Sequence, residues 1–239
     1  MGKLLKYEFY KLRKQKSFII CTLTLLLIIF FTNAFSENVT AASAVSSAFS
    51  GGYLTAVIIG VFVSVFTCED YEQQLVKNIY SKGYKRTEVY FAKFIATVSA
   101  ALIVCALTSL FAYFIGLVKG GAGTFEDDAG RRMFSNVLTL MVCVCFFFGV
   151  ASAIRKIGGV IAVNVIAPVV VFLILSAIDS KIKADFNLTT FWFVSFFDGS
   201  IFSLFAGEPI SFGLKTGLSA GYIVLFIIVG WLLNRKTQA

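Results

Sequence analysis

The sequence predicts an all-α polytopic membrane protein. It reads as a single transmembrane domain over residues 1–239, with six transmembrane helices, an N-terminal amphipathic interfacial helix and an outer re-entrant helical hairpin before the last span. Three observations lead there. Only 14% of the residues are charged against 58% hydrophobic. A soluble domain carries roughly 25% charged residues, so this chain cannot cover a water-facing surface. The apolar residues also fall in blocks close to the ~20 residues that cross a hydrocarbon core. Finally, Lys and Arg are divided unevenly between the connecting segments, which orients the spans.

Residues 1–16 are basic and amphipathic. On a helical wheel Met1, Leu5, Phe9 and Leu12 share one face, with Lys3, Lys6, Lys11, Arg13 and Lys14 spread over the other. That spacing suits a helix lying in the headgroup layer of the bilayer. The stretch is not a cleavable signal peptide: its basic region is long, and Asn33-Ala34-Phe35-Ser36 offers no small-x-small site.

The first span covers about Ser17 to Phe35, and a small, polar segment follows from Glu37 to Ser50. The second span is about Gly51 to Cys68. Ala48, Gly52, Ala56, Gly60 and Ser64 recur along it at four-residue spacing, which lets helix backbones approach closely where lipid gives no hydrophobic drive. A charged stretch, Glu69 to Lys93, leads to the third span, about Phe94 to Val118. A loop with Gly120, Gly121, Gly123 and the acidic run Glu126-Asp127-Asp128 precedes the fourth span, about Met133 to Ile154. Arg155-Lys156 make a basic turn. The fifth span, about Gly158 to Ile178, carries Pro168, which should kink it and free a carbonyl near Asn164. The sixth, about Phe212 to Leu233, carries a second small-residue stripe, Gly213, Gly217 and Gly221. Both stripes suit packing within the bundle, which is the expectation, rather than a subunit seam or a sliding surface.

Residues 179–211 lie between the last two spans. The middle of this segment, about 186–206, is aromatic but interrupted by Asn187, Asp198 and Gly199. With six spans, both termini, residues 69–93 and Arg155-Lys156 share one side, and that side holds 15 of the 21 Lys and Arg. This is the asymmetry of a cytoplasmic face. The 186–206 stretch then enters from the outer side, where irregular backbone is tolerated if protein or a water-filled cavity covers it. Asp198 sits among Phe193, Phe196, Phe197 and Phe202. It reads either as a gate or cargo contact at the outer mouth or as the first residue of an Asp-Gly turn.

Chemistry is constrained by what is missing. The chain has no His, and so lacks the commonest general base and metal ligand. No intramembrane pair of aspartates occurs, which argues against a membrane-embedded enzyme. The cysteines Cys21, Cys68, Cys105, Cys143 and Cys145 lie in or beside apolar blocks without a Cys-x-x-Cys pair, and are expected as buried thiols. No Gly-x-x-x-x-Gly-Lys-Ser/Thr occurs, so this polypeptide does not cradle nucleotide phosphates through a P-loop. No nucleic-acid partner is expected.

The 69–93 stretch is longer than connecting two spans requires, and it is amphipathic, with Leu75 and Ile79 on one side. It opens with Glu69, Asp70 and Glu72. It continues through Asn78-Ile79-Tyr80-Ser81-Lys82-Gly83 and Lys85-Arg86-Thr87, and ends at Tyr90 or Phe91 and Lys93. In these features, and in the basic N-terminal helix, the span count and the aromatic segment before the last span, the chain resembles the permease subunits of the ABC-2 class of ATP-driven exporters. The resemblance implies that residues 1–16 act as a connecting helix. It also implies that residues 71–84 act as a coupling helix seated in the ATPase, with Glu69, Asp70, Glu72, Leu75, Ile79, Tyr80, Lys82, Gly83 and Arg86 at the coupling surface. Phe193, Phe196, Phe197, Asp198 and Phe202 would belong to the outer gate or cargo path, and Gly52, Ala56, Gly60, Gly217 and Gly221 to helix packing.

The partners so implied are two copies of an ABC ATPase subunit, which would hold ATP and Mg while this chain binds no cofactor, and a second permease copy in a homodimer or related heterodimer. The implied location is a bacterial cytoplasmic membrane, with both termini in the cytosol. The outer segments hold 8 Asp or Glu against 6 Lys or Arg, which suits an amphipathic, cationic cargo such as a peptide toxin or antimicrobial peptide. A lipid or drug exporter permease, an ion-coupled carrier and a non-transporting scaffold are the competing readings.

Overall fold

The computed structural model describes residues 1–36, 39–50, 52–182, 187–197 and 211–236. Among them are nine α-helices: α1 Gly2–Lys14, α2 Lys16–Phe35, α3 Ala41–Ser50, α4 Gly52–Glu72, α5 Leu75–Ser81, α6 Arg86–Gly120, α7 Ala129–Ile154, α8 Ile157–Ile182 and α9 Phe212–Lys236. Two 3-10 turns, Leu188–Phe191 and Phe193–Phe196, lie between α8 and α9. Six of the helices, α2, α4, α6, α7, α8 and α9, are long and apolar enough to cross a bilayer. The chain is an all-α polytopic membrane protein.

The helices sort by how much of each is covered. α4 and α7 form the centre, with 56% and 61% of their most apolar windows buried, whereas α9 has only 11% buried. α7 packs on both α4 and α9, and α3 packs on α6. The outer helices present apolar side chains such as Ile20, Leu27, Phe31, Leu173 and Ile228 to their surroundings, as helices facing lipid tails do. An even number of spans leaves α1, α5, the 155–156 turn and the end of α9 together at one end of the bundle. This end is called the basic end below. α3, the 121–128 loop and the 3-10 turns occupy the opposite end.

Several boundaries move from where hydropathy put them. α4 runs past Cys68 to Glu72, and α6 begins at Arg86 rather than near Phe94. Of the amphipathic piece expected over 71–84, only Leu75–Ser81 is a separate helix. Gln74, at φ 56, breaks the chain before it, and Gly83, at φ 84, turns the chain after it. The 37–50 segment, given no element by its composition, contains α3. This helix is held to the far end of α6 by hydrogen bonds from the Ala41 N–H to the Gly121 carbonyl (2.9 Å) and from the Ala42 N–H to the Ala122 carbonyl (3.2 Å).

Close approaches explain which small residues matter. A Cβ at Gly116 would lie 2.5 Å from the Ala41 Cα, and one at Gly120 would lie 2.5 Å from the Val39 carbonyl oxygen. These two α6 glycines seat α3. Gly149 on α7 and Gly230 on α9 face each other backbone to backbone. Gly52 meets the Phe197 ring and Gly60 the Phe147 ring, while Ala56 is fully buried. The α9 stripe is different. A Cβ at Gly213, Gly217 or Gly221 meets nothing within 4 Å among the described residues, so the intrachain packing expected of Gly217 and Gly221 is not found there.

α8 continues through Pro168, and Asn164, expected beside the carbonyl that Pro168 frees, reaches across the bundle. Its Nδ2 donates to the Ser64 Oγ at 2.9 Å and to the Phe147 carbonyl at 3.5 Å. A buried amide in an apolar bundle has to find partners, and those on α4 and α7 lie within its reach.

Candidate functional site

The basic end gathers charge where the apolar core stops. α1 forms because its basic last turn, with Lys11, Arg13 and Lys14, complements the negative end of the helix dipole. It turns Leu4, Glu8 and Leu12 inward and leaves Lys3, Lys6, Arg13 and Lys14 exposed. The stripe of Met1, Leu5 and Phe9 seen on the helical wheel is therefore only partly covered, and the buried stripe lies one residue away at Leu4 and Glu8.

Asp70 is the centre of the cluster. It is fully buried near the end of α4. Lys11 from α1 donates to its Oδ1 at 2.6 Å, and Lys93 from α6, itself buried, pairs with its Oδ2. The Lys11 Nζ also donates to the Phe66 carbonyl at 3.2 Å and sits 4.8 Å from the Phe66 ring centre. One carboxylate thus ties three helices together. Tyr71 adds a fourth contact, its ring lying 5.6 Å from the Lys93 Nζ and 5.0 Å from the Arg155 guanidinium.

The neighbouring acids are engaged as well. Glu69 accepts from the Gln15 Nε2 at 2.8 Å and from the Gln73 Nε2 at 3.3 Å. Glu72 accepts the Ile157 backbone N–H at 2.8 Å, satisfying an otherwise open donor in the first turn of α8. Glu8 has no such partner. It is fully buried, and neither carboxylate oxygen accepts a hydrogen bond among the described residues. Burial pushes its carboxyl above the usual glutamate range; Lys93 and Lys11 oppose that push and Asp70 adds to it. The nearby Tyr7 phenol is raised for the same first reason, burial, with Asp70 and Glu8 adding to it.

α5 is held against this platform by its apolar side. Ile79, Tyr80 and Tyr84 pack on Leu4 of α1 and on Val89 and Ala92 of α6. Val76 is buried and Leu75 half-buried, whereas Lys77, Asn78, Ser81, Lys82 and Gly83 are exposed. The Arg86 guanidinium lies 5.9 Å from the Tyr80 ring centre. Two open clefts flank Tyr80 and Arg86. One, of about 560 Å³, reaches Lys77, Arg155 and Lys156; the other, of about 520 Å³, reaches Lys85, Trp231 and Asn234. The cluster therefore combines a braced interior with an outer rim of cations and tyrosines. No group of three or more metal-ligating Cys, Asp or Glu side chains occurs among the described residues.

At the opposite end, Phe193, Phe196 and Phe197 are buried; the Phe193 ring meets Phe146 and Phe226 in tilted and edge-to-face contacts, the Phe196 ring meets Tyr222, and Phe197 lies over Gly52. Asp179, which sequence reasoning passed over, orders this segment. It accepts from the Leu188 N–H at 2.9 Å and from the Thr189 N–H and Oγ1, each at 2.8 Å. The Trp192 Nε1 donates to the Pro168 carbonyl at 3.0 Å, and the Tyr222 Oη donates to the Phe191 carbonyl at 3.0 Å. Asp198 and Phe202 lie outside the described residues.

Sequence reasoning also missed Glu8, Lys11 and Lys93 as members of the cluster. The available signal was a lone acid on the inward face of a basic helix and a lysine one turn inside an apolar block. Each is expensive to bury without a partner.

Residues 4–179 match the family model of ABC-2 family transporter proteins. That is well over half of the chain, and it takes in α1 from Leu4, the Asp70 cluster and the first five spans. The chain belongs to the ABC-2 transporter family. It is a multi-pass membrane permease component of an ABC exporter. The match stops before the 3-10 turns and α9. No curated protein shows a significant match to the chain.

Proposed function

We propose that this permease couples ATP hydrolysis by a separate ATPase subunit to the export of an amphipathic cargo, a peptide toxin or antimicrobial peptide. The basic end faces the cytosol of a bacterium, two ATPase copies dock there, and a second permease copy completes the path. The supporting observation is the bracing of α5. Its exposed side and the turn after it offer Lys77 and Lys82 to a partner, while Ile79 and Tyr80 rest on α1 and α6, which the Asp70 bridges tie to α4. A push on α5 therefore reaches two spans and the interfacial helix at once. ATP would shift the bundle to the extent that it binds one conformation better than the other. The mildly acidic outer segments, with 8 acids against 6 bases, favour a cationic cargo.

The test is co-expression with candidate ATPase subunits and reconstitution in liposomes. The reading expects the permease to hold the ATPase through purification, and a cationic amphipathic peptide to stimulate hydrolysis several-fold. Stimulation by lipid or by a neutral drug instead would transfer the assignment to those cargoes. Transport with no ATPase present would refute it.

A further inference from the structure

Glu8 is a carboxylate of the basic cluster that has no hydrogen bond on either oxygen among the described residues. Both ammonium groups nearby, Lys11 and Lys93, are bonded to Asp70, yet the Glu8 carboxylate is as deeply buried as Asp70 and bonds to neither. The charged groups that face it are Lys93 from α6, Asp70 from α4 and Lys11 from its own helix. Its neighbour Tyr7 faces Asp70, Lys93 and Glu69. A buried carboxylate with no hydrogen bond is costly as an anion and far cheaper as a neutral acid. The seated position of α1 therefore suits the protonated side chain. An ionised Glu8 has two ways to regain partners. It can draw Lys93 away from Asp70, or it can carry α1 off the bundle toward water. Each loosens the clamp that joins α1 to α4 and α6.

We propose that Glu8 is a proton-operated latch: neutral, it lets α1 seat against α4 and α6, and ionised, it releases that seat. This goes beyond the export reading and does not depend on an ATPase partner. The sign follows from proton counting. The seated state holds the Glu8 proton to higher pH than the released state, so seating is strongest at low pH and weakens as pH rises above the ordinary glutamate range. A single proton limits the change to about tenfold per pH unit.

The experiment is amide hydrogen exchange over residues 2–14 of the full-length protein in lipid nanodiscs, from pH 5.5 to 9, with exchange times scaled for the intrinsic rate. Wild-type protection of α1 should fall with pH, while Glu8→Gln should give high, pH-independent protection. Glu8→Met, which cannot ionise either, should behave like Glu8→Gln and serves if the amide fails to fold. Wild-type protection that stays constant across the range would overturn the latch. So would a pH dependence that survives in either variant.

Discussion

At the scale of single residues, Asp70 and Lys93 carry the sharpest expectation. Both are buried, and they pair across two helices. Removing one member of such a pair strands the other charge, which costs about 3–5 kcal/mol. Asp70→Asn should therefore lower the detergent-solubilised thermal midpoint markedly, and the double change Asp70→Asn with Lys93→Met should recover a large part of the loss. Glu69→Gln is the control. Its carboxylate is half-exposed and its partners are neutral glutamines, so its change should stay within about 1 kcal/mol. Equal effects of Asp70→Asn and Glu69→Gln would show that the buried bridge is not special. Lys119 makes a second residue-scale case. Its ammonium donates to the Asn33 and Ala34 carbonyls at 2.9 and 2.6 Å and to the Ser36 carbonyl at 3.2 Å. It thereby satisfies the open C-terminal acceptors of α2. Lys119→Met should destabilise by about 1 kcal/mol, read as faster amide exchange at the end of α2.

At the scale of elements, glycine placement separates two kinds of contact. Gly116→Leu should push α3 off α6, because even a Cβ there would sit 2.5 Å from backbone. The expected loss is at least 1–3 kcal/mol, visible as a lower thermal midpoint. Gly217→Leu should leave the fold's midpoint unchanged, because that face meets nothing within the described chain. If α9 forms the seam to a second permease, the same substitution should reduce the cross-linked dimer. These elements also show what could be read from the sequence. The six spans were legible because a bilayer demands a long apolar run, which composition records directly. The 69–93 segment was legible only in part: its amphipathic piece was read, but not that α4 and α6 reach into it from either side. Asp70 and Lys93 are 23 positions apart, and hydropathy is blind to their meeting, which lets α4 and α6 stay helical through charged sequence. α3 was hidden for the opposite reason. Its residues are small and weakly patterned, and it is helical by virtue of its seat on Gly116 and Gly120. Among the residues that the resemblance assigns to coupling, the order of Glu69, Asp70 and Glu72 was visible in the sequence. The burial of Asp70 was not, since it depends on where Lys11 of α1 and Lys93 of α6 meet it.

At the scale of the whole molecule, the positions of the basic end and of α5 can be tested together. A cysteine placed at Lys82, on the exposed side of α5, in a background lacking the native thiols, should react with an impermeant maleimide in inside-out vesicles and stay silent in intact cells. The reverse pattern would invert the topology and remove the docking surface from the cytosol. In the reconstituted system, Ile79→Pro should abolish cargo-stimulated hydrolysis while leaving membrane insertion intact, since it breaks α5 but no span. Retained stimulation would mean that force enters the bundle elsewhere.

The third span is a single helix of 35 residues, about 52 Å from end to end at 1.5 Å per residue. The hydrocarbon layer is only about 30 Å thick. The rod therefore stands clear of the apolar slab at one or both faces, with Lys93 near its foot and Gly116 and Gly120 near its head. Because its interior lacks proline, it has no obvious joint at which to fold. A few degrees of tilt about its middle would swing the two ends in opposite directions, so that movement of the Asp70 bridge on one side of the membrane would be felt by α3 on the other without any intermediate carrier.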